Sequence, residues 1–127
     1  MGTPITPRGM GAPIAHYSHG VMAGNLIFVA GQVPVDASGQ LVGAGDIGAQ
    51  TRQVIKNVEA VLAAEGASLA DVVSTTVYLT NFDRYKDYDR VYAECFGGNR
   101  PARATVRADL VRPEWLVEIQ AIAVKRS

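Results

Sequence analysis

The chain lacks the features that mark several protein classes. It has one cysteine, Cys95. A lone thiol cannot staple a fold, which excludes the disulfide-framework proteins. No run approaches the ~18 apolar residues of a membrane span, so no membrane partner is expected. Neither sign of charge is in excess: twelve Lys and Arg balance twelve Asp and Glu. Without a basic cluster there is no field to gather a polyanion, and no nucleic-acid partner is expected. The glycines of "GQLVGAGD" make no phosphate-loop pattern. Sequence repeats and low-complexity tracts are absent. The N-terminal stretch "MGTPITPRGMGAPIAHYSHG" has no continuous apolar core of the secretory kind. Met1-Gly2 with Thr6 matches a myristoylation motif only weakly. The expected compartment is the cytoplasm.

What is present suits one globular domain over residues 1–127, 48% of them hydrophobic. Residues 1–14 hold three prolines and three glycines and read as a loop-like arm. Gly24-Asn25 is a turn signal between strands at about 16–22 and 26–32. A further short strand is expected at 40–42. From Asp46 to Glu65 the apolar residues Ile47, Val54, Val58, Val61 and Leu62 recur at helical spacing, with Gly66 placed to end the helix. "SLAD" resembles a capping box that opens a single turn. "VVSTTVYLT" is β-branched and aromatic, a strand. "NFDRYKDYDRVYAECFGG" predicts a second helix with Tyr85, Tyr88, Val91, Tyr92 and Cys95 on one broad stripe. Strands at 101–109 and 115–124 follow, joined by a turn around Arg112-Pro113. The order β-β-(β)-α-β-α-β-β predicts an α+β fold: a mixed sheet with two helices on it.

Two helices cover one face of such a sheet. Yet the strand 26–32 puts Leu26, Phe28 and Ala30 on one face and Ile27 and Val29 on the other. The last strand alternates Trp115, Val117, Ile119, Ala121 and Ala123 with Leu116, Glu118, Gln120, Ile122 and Val124. Both faces are largely apolar, so both are expected to be covered. Monomers rarely expose large apolar patches. A homo-oligomer of closed symmetry is therefore expected, with the second face buried between copies.

Two charged residues stand out against this pattern. Arg103, in "RPARAT", is a long cation between two alanines at the start of a period-two strand. It either lies on a wet sheet face or faces a ligand for which the alanines leave room. Glu118 falls among apolar neighbours on the face expected to be buried. A carboxylate there must be paired or hydrogen-bonded, and Arg103 is a candidate partner. A purely structural intersubunit salt bridge is the competing reading. Other candidates have plainer explanations. His16 and His19 lack a carboxylate motif and read as a polar loop rather than a metal site. Cys95 lies on the apolar helix stripe and reads as core. Tyr85, Tyr88 and Tyr92 read as helix packing, and Trp115 as core or interface.

Four stretches together, "AGQVPV", "QTRQVIKNVEAVLAAEGASLADVVSTTVYLTN", "RPARATV" and "VEIQAIAV", resemble the RidA (YjgF-type) family over almost the whole chain. The resemblance implies a chorismate-mutase-like fold and a homotrimer with clefts at the subunit interfaces. It implies hydrolysis of reactive imines and enamines, such as 2-aminoacrylate and 2-iminobutyrate, to 2-keto acids and ammonia, without metal or cofactor. It implies that Arg103 binds the substrate carboxylate and that Glu118 positions or activates the attacking water. Tyr17 would stand near the cleft mouth, and the backbone of Gly31 would shape the ligand site. Three positions depart from well-studied members: Ala30 where Ser is frequent, Thr105 where Cys is frequent, and Asp89 where some relatives carry Asn. These bear on substrate range, with Thr105 still close to the substrate. Two other function classes stay open: a non-catalytic trimer binding small carboxylates or proteins, and a ribonuclease, against which the neutral charge weighs.

Overall fold

The computed structural model describes residues 2–126; Met1, at the start of the arm, and Ser127 lie outside them. Among the described residues, six strands form one sheet: β1 (Thr3–Ile5), β2 (Gly20–Ala23), β3 (Leu26–Gln32), β4 (Val72–Leu79), β5 (Ala102–Arg107) and β6 (Val117–Val124). Their order across the sheet is β1-β2-β3-β6-β4-β5. Only the β4–β5 pair is parallel; every other neighbouring pair is antiparallel. The long helices α1 (Ile47–Ala63) and α2 (Tyr85–Phe96) supply the crossovers β3-α1-β4 and β4-α2-β5. This is the expected α+β architecture.

The helices end where local chemistry ends them. Asp46 is extended and accepts a hydrogen bond from the Ala49 N–H at 3.1 Å, capping α1. Gly66, at φ +72°, turns the chain out of α1 in the left-handed region. Ser68 and Asp71 close the expected capping box on a single 3-10 turn, Leu69–Asp71. Gly97 follows α2, its N–H donating to the Ala93 carbonyl.

The core lies between the helices and one face of the sheet. Val54, Val58, Val61 and Leu62 of α1 pack with Ile27, Val29, Val77, Leu79, Val117, Ile119, Ala121 and Ala123. Tyr88, Tyr92 and Phe96 cover the β4–β5 end. Among the described residues, none forms a layer over the opposite face. Phe28 is 41% exposed and Val106 40%, with Leu26 also exposed and Ile122 and Val124 half-buried. The two faces read from the period-two pattern are the two faces found.

Four expectations need correction. Thr3–Ile5 is not loop but a strand paired with β2, because Ile5 buries its side chain in the core while Pro4 is tolerated on an edge. The strand expected at 16–22 begins only at Gly20. Residues 40–42 form no strand beyond an isolated Val35–Leu41 bridge, since Asp36 folds this loop on itself by accepting from the Ser38 and Gln40 N–H groups. The last strand begins at Val117 rather than at 115, because buried Gln50 of α1 takes the Leu116 N–H at 2.8 Å and donates to the Glu114 carbonyl. Among the described residues, no helix is long and apolar enough to cross a membrane.

Candidate functional site

Arg103 sits on β5, directly across from Thr75 of β4. Thr75 is buried under α2, so Arg103 shares the helix-covered face. Ala102, Ala104 and Val106 point to the bare face instead. The alanines therefore do not make room beside the guanidinium; strand alternation sends them to the other side. Nor is Arg103 on a wet face: its side chain is 21% exposed.

What surrounds Arg103 comes from α2. Tyr85, Tyr88, Asp89 and Tyr92 recur at intervals of three and four and share a helix face. Arg103 Nη1 donates to Asp89 Oδ1 at 2.8 Å and Nη2 to the Tyr85 hydroxyl at 2.6 Å. Its Cζ lies 4.7 Å from the Tyr92 ring centroid and 5.4 Å from that of Tyr88, distances at which a ring face attracts a cation. Burial works against the charge, but the hydrogen bond to Asp89, with the neighbouring tyrosines, outweighs it and raises the Arg103 pKa. The guanidinium is permanently charged and braced. Burial pushes the Tyr88 phenol well up and raises that of Tyr92, so both are neutral hydrogen-bonding groups. Tyr92 meets Thr75 at 2.7 Å, and Tyr88 meets Thr105 at 3.4 Å. Thr105 thus lies under α2, two residues beyond Arg103. Arg103 and Asp89 line a recess of about 350 Å³ with Tyr92, Phe96 and Arg100.

Glu118 belongs to a second cluster. It lies on β6, opposite Tyr78 of β4, on the bare face. On its other side β3 carries an irregularity: Val29 pairs with Ala121 but Gln32 with Ile119, so β3 holds one extra residue. Gly31 is in that bulge. A Cβ there would run into the Glu118 carboxyl group, 2.9 Å from its Cδ. Gly31 is needed for space, not for an unusual φ. Burial raises the Glu118 pKa, and no charged neighbour offsets it.

Gly31 also lines a cavity of about 150 Å³ with Tyr17, His19, Arg112, Trp115 and the arm residues Met10–Ile14. Tyr17 is exposed and stands edge-on to His19, whose Nε2 bonds to the Gly11 carbonyl at 2.7 Å. His19 thereby ties down the arm. Cys95 is half-buried, and burial raises its thiol pKa despite nearby Arg52, as expected for a packing residue.

The site residues thus form two groups. Gly31 lies against Glu118 at the β3 bulge and shares a cavity with Tyr17. Arg103 and Thr105 lie under α2, on the other face and two strands away, about 10 Å laterally. Within one chain Arg103 is not the partner of Glu118, because alternation and strand order hold them apart. Sequence reading missed Tyr85 and Tyr92 as arginine contacts, and Asp89 as its ion-pair partner. Their three- and four-residue spacing was visible, but not that this face of α2 covers Arg103.

A family model, described as endoribonuclease L-PSP, matches residues 9–125. The chain belongs to this family, the YjgF/RidA family. It is 45% identical to a RutC family protein of Pyrococcus horikoshii, over 89% of this chain and 90% of that one. A Thermotoga maritima crystal structure, described as a candidate endoribonuclease, superposes with a TM-score of 0.91 at 39% identity, covering 100% of both chains. E. coli TdcF, crystallised with bound serine, gives a TM-score of 0.88 at 28% identity, covering 98% of this chain and 99% of that one. The chorismate-mutase-like fold implied by the family resemblance is the fold found.

Proposed function

We propose that this protein hydrolyses small 2-imino acids of the 2-aminoacrylate and 2-iminobutyrate type. It does so as a homotrimer whose clefts bring Arg103 of one copy to Glu118, Gly31 and Tyr17 of the next. The observation that carries this reading is the braced, permanently charged Arg103 beside an open recess. Asp89 and Tyr85 take part of its fork, and the remaining N–H donors suit a ligand carboxylate. TdcF, a relative, holds serine, a small amino acid bearing such a carboxylate.

The separation of the two groups supports the shared cleft. A three- or four-carbon acid cannot touch both faces of one sheet. It can touch both if the bare apolar face of one copy meets the β5 edge of another, which also covers Phe28 and Val106. In the cleft, water adds its oxygen to the iminium carbon, both water protons pass to nitrogen, the carbon–nitrogen bond breaks, and nitrogen leaves as ammonium while oxygen stays as the keto group. Glu118 is the group that takes a proton from water and returns it to nitrogen. Its raised pKa brings it closer to working pH, where a general base is most effective. No step calls for a metal or cofactor.

The test is keto-acid formation from enzymatically generated 2-iminobutyrate and 2-iminopropionate, with native mass measured alongside. We expect acceleration over buffer and a mass near three chains. Carboxylate binding without acceleration of any imine would leave a small-ligand binding module, the reading that the serine complex of TdcF also favours.

A further inference from the structure

We propose that Asp89 makes the Arg103 recess selective for zwitterions, so that it holds a 2-iminium acid in preference to the 2-keto acid formed from it. This rests on the reading of Arg103 as the carboxylate site and adds a residue that sorts its ligands.

Asp89 is placed for this role. Its Oδ1 accepts from Arg103 Nη1 at 2.8 Å, and the two side chains line the same recess. Asp89 is 47% exposed, so much of its carboxylate is open to a ligand. The other polar contact on Arg103 is the Tyr85 hydroxyl, a neutral group. Arg100, exposed at the rim, adds positive charge to the recess. Asp89 is thus the recess's single acidic side chain among the described residues, and it adjoins the ligand-binding guanidinium.

A carboxylate seated on the free donors of Arg103 therefore comes close to a second carboxylate. For a plain anion this is a like-charge contact. A 2-iminium acid carries its cationic nitrogen on the carbon next to its carboxylate. With that carboxylate on Arg103, the N–H donors fall within reach of Asp89 and form a charge-assisted hydrogen bond. A 2-keto acid offers a carbonyl oxygen at the same place, an acceptor facing an acceptor. Substrate and product differ there, and Asp89 favours substrate binding and product release.

The experiment is calorimetric titration of the full-length protein and of Asp89→Asn. Serine and 2-aminobutyrate are the zwitterions, their ammonium standing in for the iminium. Pyruvate and 2-oxobutyrate are the keto acids. Asparagine keeps an acceptor for Arg103 while removing the charge and adding a donor for a keto oxygen. We expect keto-acid affinity to rise about fivefold and zwitterion affinity to fall by a similar factor, in opposite directions. If both ligand classes weaken together, Asp89 merely braces Arg103 and the selectivity inference is overturned. If neither changes, it is overturned as well. If the unchanged protein binds neither class, the carboxylate-site reading falls and takes this inference with it. If it binds both but turns over no imine, selectivity at Arg103 can still be established while the catalytic reading fails.

Discussion

Arg103 and Glu118 occupy opposite faces of the same sheet, with β4 between their strands. Each sits in a prepared setting. The guanidinium is braced by Asp89 and Tyr85, and the carboxylate lies against a glycine bulge. Neither group reaches the other within the chain. Any chemistry that uses both needs a second copy.

The bare face gives the first prediction. Ile122→Asp puts a charge at its centre, between Phe28 of β3 and Ser74 of β4. If copies meet through this face, a buried unpaired carboxylate will dissociate them. We expect native mass spectrometry to show about three chains for the unchanged protein and one for the variant, with the helical circular dichroism retained. A monomeric parent at micromolar concentration would remove the basis for a shared cleft.

Glu118 gives a pH dependence. Burial raises its pKa, so between the unfolded and folded values the folded state binds more protons than the unfolded state. Stability therefore falls as pH rises through that window, and the cost of charging Glu118 persists above it. Glu118→Gln should melt higher than the parent at neutral pH, with the difference fading as pH drops from the raised folded value down to the ordinary glutamate range. Turnover should run the other way, declining as acid protonates the base from a pH above that range. Equal melting temperatures across the series would mean that burial does not strain this carboxylate.

Much of this arrangement can be read from sequence, for local reasons. Alternation in 26–32 and 117–124 separates Ile27 and Val29 from Leu26 and Phe28, and Val117 from Glu118, because side chains change face at every residue. Asp46, Gly66, Ser68 and Asp71 announce helix ends through short-range hydrogen bonds. Alternation does not say which face α2 covers, so the side on which Arg103 lies is settled only by the crossover from β4 to β5. The Asp89 pair joins residues on two elements and has no local signal. Thr3–Ile5 is too short for periodicity, and its proline argues for loop.

The Thr75–Tyr92 hydrogen bond links the sheet to α2 beneath Arg103. Tyr92→Phe keeps the ring but leaves the buried Thr75 hydroxyl without its partner, a loss of about 1–3 kcal/mol. Urea denaturation should show a lower midpoint at an unchanged slope. Carboxylate binding should survive, since the ring face over Arg103 remains.

Gly31→Ala tests the bulge. Its methyl group meets the Glu118 side chain, which must swing away. We expect turnover to fall by roughly 10²-fold, the scale of a lost general base. Binding of a simple carboxylate at Arg103 should persist, because the guanidinium that holds it is braced by Asp89 and Tyr85 and not by Gly31. Loss of binding as well would place Gly31 at the ligand rather than behind the base.

The decisive prediction concerns mixtures. Arg103→Ala removes charge-assisted contacts to the ligand, each about 1.5–3 kcal/mol, and should weaken binding and turnover together. Glu118→Gln should leave binding within a fewfold and lower turnover by roughly 10²-fold. Each variant alone spoils every cleft. If a cleft takes Arg103 from one copy and Glu118 from the next, a mixed trimer contains clefts built from the two intact halves. Random exchange of equal amounts should restore roughly one quarter of parental activity, from the chance that both contributors to a head-to-tail interface are sound. Exchange can be driven by dilute denaturant and verified by native mass using a mass-tagged variant. If verified mixed trimers stay inactive while the parent is active, both residues act within one chain, and the cleft between copies is the wrong site.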